Sequence, residues 1–226
     1  MSGEVRLAEN ATASVRTLTI AGSGDTVVSG NVVNHSGTGT IGALSKNGGG
    51  TLTLSGDNTY TGATTVAANG GVLLMNGTHS GTGAITVNGG ASFGRTGTTA
   101  IDLGGNVSFA NESAIILILG AGGAHSSLNR TGGTWSFDSD QAFTFDDMGA
   151  GPGLYSGLIT GLTGSETGLG TMNEWYVTNE GWAGTFIYNL ETDAVDFQLS
   201  VIPEPAAGFL FVAVVTGLAL SRRRRV

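Results

Sequence analysis

Leu44-Ser45-Lys46-Asn47-Gly48-Gly49-Gly50-Thr51-Leu52-Thr53-Leu54-Ser55-Gly56-Asp57-Asn58-Thr59-Tyr60-Thr61-Gly62-Ala63-Thr64-Thr65-Val66, followed by Gly71-Val72-Leu73, is the stretch on which the fold turns. Apolar and hydroxyl residues alternate in it with a period of two, which is the side-chain period of a strand. Glycine, asparagine and aspartate interrupt the runs, and these residues favour turns. A helical 3.6-residue pattern does not compete with this reading anywhere before residue 203.

Working outward, similar runs occur at Val15–Ile20, Asp25–Val28, Asn31–Val33, Ala84–Val87, Ala91–Phe93, Asn106–Val107-Ser108-Phe109 and Ile115–Leu119. Asn-Gly pairs at Asn47-Gly48, Asn69-Gly70, Asn76-Gly77 and Asn88-Gly89 read as tight turns between them. Many short strands allow a sandwich, a barrel or a β-solenoid. Spacing favours the last. Leu52 and Leu73 lie 21 residues apart, and Ile85 and Val107 lie 22 apart. These intervals match one coil of a parallel β-helix, in which stacked rungs share a core. Thr and Asn repeated between rungs are expected to form ladders. A sandwich would show longer strands with cleaner alternation.

The quoted stretch resembles the autotransporter-associated β-strand repeat over about 30 residues. The shared pattern is a Lys, a Gly run, Thr-Leu-Thr-Leu-Ser-Gly, Asn-Thr-Tyr-Thr-Gly and Thr-Thr-Val. Asp57 stands where a small residue is more usual, and Ala63 replaces a common Gly. The resemblance implies a right-handed parallel β-helix of the kind found in exported passenger proteins. Some relatives end in a translocating β-barrel, whereas this chain ends in a different segment, so export by self-insertion is not expected. One clear copy of the repeat is present, with 12–33 and 84–119 as diverged rungs.

That last segment has three parts: Pro203-Glu204-Pro205, the uncharged run Ala206–Leu220, and Ser221 with Arg222, Arg223, Arg224 and Arg225. The prolines end regular structure. As a helix, 206–220 would span roughly 22 Å, short of the ~30 Å hydrocarbon core, a gap that bilayer thinning and snorkelling arginines can close. Positive charge stays cytoplasmic, so the expected topology is C-terminus inside and body outside. A buried C-terminal helix is the alternative, but four adjacent arginines do not suit a packed end. The order of the three parts resembles the PEP-CTERM sorting signal of Gram-negative bacteria. That resemblance implies recognition and cleavage near Pro203, Glu204 and Pro205 by an exosortase-type membrane transpeptidase, with Arg222–Arg225 as the membrane stop.

Composition supports an exported body. Glycine makes up 40 of 226 residues, and the three prolines exclude collagen and Pro-rich disorder. The net charge is −8. Four of the nine Lys and Arg are Arg222–Arg225, and Glu204 is the tail's one carboxylate. Residues 1–202 therefore hold 5 basic and 16 acidic side chains, a charge of −11. A nucleic-acid partner is not expected. The absence of cysteine excludes disulfides and thiolate chemistry. The first nine residues carry Glu4, Arg6 and Glu9 with no apolar run, so they are not a secretory signal. The expectation is that translation starts further upstream or that the sequence is a fragment.

Beyond Gly120 the aromatic content rises, with Trp135, Trp175, Trp182, Tyr155, Tyr176 and Tyr188. Here larger side chains are expected to close the solenoid or form a small β-cap. Asp138/Asp140 and Asp146/Asp147 could offer oxygens to Ca2+, but they lack the EF-hand spacing and read as solvated loops. Gly22-Ser23-Gly24-Asp25 resembles a calcium nonapeptide once, without tandem copies, and reads as a turn. His35, His79 and His125 lack metal-ligand spacing and are expected in surface turns. Glu166, Glu174, Glu180 and Glu191 could supply a glycosidase pair with Trp175 and Trp182 as a sugar platform. The competing reading makes those aromatics core.

The sequence thus predicts an all-β chain, a right-handed parallel β-helix (solenoid) with a C-terminal transmembrane helix. Residues 1–120 form the β-helix, with the repeat near 44–74. Residues 121–200 form end rungs or a cap, and 203–226 the sorting signal with helix 206–220. The expected role is non-enzymatic, structural or adhesive, at the cell surface or in the matrix, without cofactors and in contact with exopolysaccharide or matrix. A polysaccharide-active enzyme and a permanently anchored surface protein are the alternatives.

Overall fold

A computed structural model describes residues 2–7, 15–35 and 41–201. The sorting-motif residues Pro203, Glu204 and Pro205, the run 206–220 and Arg222–Arg225 lie outside the described residues. Among the described residues, no helix is long and apolar enough to cross a membrane.

The chain is mostly β, and its parallel sheets stack as in a β-solenoid. The first sheet has six strands: Val15–Ile20, Ile41–Lys46, Thr64–Val66, Ile85–Val87, Val107–Phe109 and Trp135–Ser136. The second has seven: Thr26–Val28, Thr51–Leu54, Val72–Met75, Ser92–Gly94, Ala114–Gly120, Ala142–Met148 and Tyr176–Val177. Every pairing within these two sheets is parallel. A third, broken face comprises Val5–Arg6 with Val32–Val33, Asp57–Asn58 with Thr78–His79, and Ala100–Leu103 with Ser127–Arg130 and Gly153–Thr160. The chain visits the three faces in turn, and one circuit is one rung.

The register explains why the pattern repeats. Leu52 pairs with Leu73, and Ile85 with Val107. The apolar column Leu52, Leu73, Phe93, Ile115, Phe143 continues through five rungs of the second sheet. All five side chains are buried. Alternate residues such as Thr53 and Leu74 face outward and are only half-buried. Burying one apolar side chain per strand contributes roughly 1.5–3 kcal/mol, so each rung gains from its neighbours what it could not gain alone.

Side chains also tie rung to rung. Asn58 accepts from Val32 N–H at 3.2 Å and donates to the Thr78 carbonyl at 3.1 Å, spanning three rungs. Asn76 and Thr96 exchange two bonds of 2.9 Å, and Thr134 N–H donates to Asn106 Oδ1 at 2.9 Å. The Asn-Gly pairs sit at corners between faces. They do not form hairpins: the strands flanking Asn47-Gly48 or Asn88-Gly89 belong to different sheets. At Asn69 the backbone takes a left-handed φ of 53°, a conformation that Asn tolerates better than most residues.

Past Gly153–Thr160 the pairing changes sense. That strand is parallel to Ser127–Arg130 but antiparallel to Ala194–Val201, which pairs antiparallel with Ala183–Asn189. Phe186 and Phe197 from these strands lie against Phe143 and Phe145 of the second sheet, with centroids 4.4 and 4.9 Å apart. Trp175 joins the cluster at 5.0 Å from Phe137. Large rings thus cover the apolar end of the last rung.

Candidate functional site

The third face is interrupted between Thr78–His79 and Ala100–Leu103, which belong to separate sheets. A groove of about 550 Å3 opens there, lined by Asp57, Asn76, His79, Arg95, Thr99 and Asp102 among others. Asp57 comes from a short strand of the 44–74 stretch, and His79 lies one rung further along, in register with Asn58. Arg95 follows Ser92–Gly94 at the corner where the chain leaves the second sheet.

Arg95 is buried at 6% exposure. Its guanidinium donates to the carbonyls of Met75 at 3.0 Å and Gly77 at 2.9 Å, and to Thr99 Oγ1 at 2.5 Å. Among the described residues the ion pairs are Arg6–Glu4 and Arg130–Glu166, so Arg95 is balanced by carbonyl dipoles rather than by a carboxylate. Burial lowers its affinity for the proton. His79 is also buried, its ring 5.0 Å from that of Tyr60. Its pKa is lowered, mainly by burial and against the effect of a backbone bond with Asn58. His79 Nδ1 and Arg95 Nε are buried without a hydrogen-bond partner among the described residues.

The two acids of the groove are engaged at one oxygen each. Asp57 Oδ1 accepts from Thr78 Oγ1 at 2.8 Å, and Asp102 Oδ1 accepts from Asn129 Nδ2 at 2.6 Å. Carboxylates, hydroxyls and an amide along one open wall can hydrogen-bond a polyol.

Other residues singled out in the sequence do not converge. His79 corrects the expectation of a surface turn: it is buried, with its ring tilted against that of Tyr60 from the preceding rung. His125 is half-buried, bonded through Nδ1 to the Gly123 carbonyl at 2.8 Å, and edge-on to Tyr155. His35 is half-buried on another rung. Asp138 accepts from the backbone of Glu112 and Ser139, and Asp147 from that of Gly149 and Ala150, so both cap turns. Among the described residues, no group of three His, Asp or Glu could hold a metal ion. Trp175 is buried at 6% exposure within the aromatic end cluster and cannot stack on a sugar from outside. Trp182 is half-buried against Phe145. Glu166 turns toward Arg130 at 3.9 Å and accepts from Thr163 N–H, while Glu174 accepts from Asn173.

Sequence reasoning passed over Arg95 and Asp102. Arg95 carried a usable signal: it is one of five basic residues before 203, set in an otherwise uncharged run from Gly89 to Ile101. Lys46 is a second such cation, buried at a corner of the 44–74 stretch. Within it Leu44 pairs with Thr64 and Thr51 with Val72. Residues 44–74 match the passenger-associated transport repeat. The matched segment runs from the first sheet round one full rung and into the second sheet again. The repeat points to an exported, autotransporter-like surface protein. No curated protein and no solved structure matches the chain.

Proposed function

We propose that the protein is an exported component of the cell surface or extracellular matrix, with a structural or adhesive role and no catalytic one. The body is a right-handed parallel β-solenoid, rigid because each rung is hydrogen-bonded on both sides. The tail is a PEP-CTERM sorting signal. The apolar run 206–220 holds the chain in the inner membrane, Arg222–Arg225 stop it there, and an exosortase-type transpeptidase cleaves near Pro203-Glu204-Pro205. The observation that supports this most is the passenger-associated transport repeat at 44–74, set in a stack of parallel rungs.

Exopolysaccharide or matrix glycan is the proposed contact, and the groove beside Asp57, His79 and Asp102 is the surface with the right chemistry for it. A polysaccharide-cleaving enzyme is the alternative, and it would need two carboxylates about 5–9 Å apart on either side of the scissile bond. Turnover of any member of a broad glycan panel by the purified protein would favour that alternative.

Mass spectrometry of the C-terminus of protein from native cells tests the delivery route. Cleavage predicts an end near Pro203–Pro205. An intact Arg222–Val226 end would support permanent anchorage and retire the processing step.

A further inference from the structure

We infer that the groove on the third face takes an amino-sugar glycan, one with free amines, in preference to a neutral or an acidic polysaccharide. The inference rests on the reading of this groove as the glycan contact. Asp57 and Asp102 line the groove and are exposed. Thr78 and Asn129 each hold one carboxylate oxygen, and neither acid belongs to an ion pair of the described residues. The lining residues include one permanent cation, Arg95, which is buried while the two acids are exposed. Its terminal nitrogens are committed to two carbonyls and to Thr99. What the groove offers to solvent is therefore anionic. A uronate would meet like charge there, and a neutral sugar would leave both carboxylates without a counter-charge. An ammonium supplies that charge through charge-assisted hydrogen bonds.

A second observation points to a ligand rather than to charge alone. His79, 4% exposed, and Arg95, 6% exposed, line the groove, and each keeps a buried nitrogen without a partner, Nδ1 and Nε. Arg95 Nε is a donor. Burial lowers the pKa of His79, so its ring is neutral near pH 7, and the bond to the Asn58 backbone uses the ring's one proton. Nδ1 is then an acceptor. A donor and an acceptor left over in one groove suit a hydroxyl, which gives one hydrogen bond and takes another. An amino sugar carries both kinds of group, hydroxyls for the buried pair and an ammonium for the exposed acids.

Isothermal titration of the full chain in non-ionic detergent micelles, at about pH 6.5 where carboxylates and amines are both charged, provides the test. The probes are a β-1,4-linked glucosamine hexasaccharide, its fully N-acetylated counterpart and a hexagalacturonate. The glucosamine probe is expected to bind at least about tenfold more tightly than either of the others. Asp57→Asn combined with Asp102→Asn keeps an oxygen for Thr78 and Asn129 and should weaken that binding at least about tenfold. Asp140→Asn combined with Glu180→Gln removes two exposed acids outside the groove and should change it by less than about twofold. The ranking of probes on the wild type carries the test if the groove variant does not fold. Equal affinity for the acetylated probe, a preference for galacturonate, or an equal loss in the control pair overturns amine recognition and leaves a glycan contact standing. Binding of none of the three overturns the glycan reading of the groove as well.

Discussion

Lys46 Nζ crosses from its own rung to donate to the Gly70 carbonyl of the next at 2.7 Å, and it also holds the Gly48 carbonyl at 2.5 Å. The residue stands in a core column between Ile20 and Val66, its register partners, and is 2% exposed. Burial lowers its pKa, and the charge of Asp25 works in the other direction. The stem fills the column while the head satisfies corner carbonyls on two successive rungs. The lysine of the transport repeat is thus a fastener between rungs.

Removing the head while keeping the stem isolates that role. Lys46→Met should destabilise the fold by about 2–3 kcal/mol, the cost of losing charge-assisted bonds to buried carbonyls. Lys46→Ala should cost more, since a cavity is added. Urea unfolding followed by circular dichroism reads both. A Lys46→Met protein within about 0.5 kcal/mol of the wild type would show that the carbonyls find other donors.

Glycine content reflects two different demands, and paired substitutions separate them. A Cβ on Gly83 would lie 2.0 Å from the Gly62 carbonyl oxygen, whereas one on Gly49 meets nothing within 4 Å. Gly83→Ala should therefore cost about 1–3 kcal/mol or more by forcing adjacent rungs apart. Gly49→Ala should be neutral or stabilising by up to about 1 kcal/mol, through a less disordered unfolded chain. Equal effects in thermal melts would count against rung contact as the reason for glycine at 83.

What could be read from the sequence follows from the same geometry. Strands of the first two sheets buried alternate side chains, so their period of two was visible, and Leu52–Leu73 and Ile85–Val107 were spaced as true register partners. Ile41–Lys46 escaped notice because Gly42, Ala43 and Lys46 do not look like strand residues. Asp57–Asn58 and Thr78–His79 are two residues long and polar; only stacking makes them strands, and stacking is not a local property. Hence the middle of the third face and its groove were invisible. The Asn-Gly corners were visible as turns, but their type depends on which sheet the chain enters next. His79 looked like a turn residue because Tyr60, which buries it, lies 19 positions away.

The buried imidazole gives stability a pH dependence. Burial lowers the pKa of His79 below the ordinary 6.5. The unfolded chain therefore takes up a proton at this residue before the folded one does. Stability is full above the ordinary value and falls as pH drops below it, until the folded site itself protonates. Asp57 and Arg95 line the same groove. Urea midpoints measured from about pH 8 to pH 5, the range in which histidine titrates, should decline on the acid side. His79→Gln should flatten that decline, while His35 and His125 remain in both proteins. An unchanged acid slope would place its origin elsewhere.

The aromatic end cluster makes the last prediction, and it is one of location as much as of size. Phe197 is fully buried, 4.9 Å from Phe145 and 4.7 Å from Phe186 by ring centroids, whereas Ile187 on the adjacent strand is 42% exposed. Phe197→Ala should cost about 3–5 kcal/mol, and Ile187→Ala no more than about 0.5 kcal/mol. In a stack where each rung touches only its neighbours, the loss should not spread evenly. Hydrogen exchange in Phe197→Ala should accelerate first in Ala142–Met148 and Ala183–Asn189, with Thr51–Leu54 and Val72–Met75 keeping wild-type protection. Uniform acceleration along the chain would mean that the rungs and their cap unfold as one unit, and that the cap carries stability for the whole solenoid rather than closing its end.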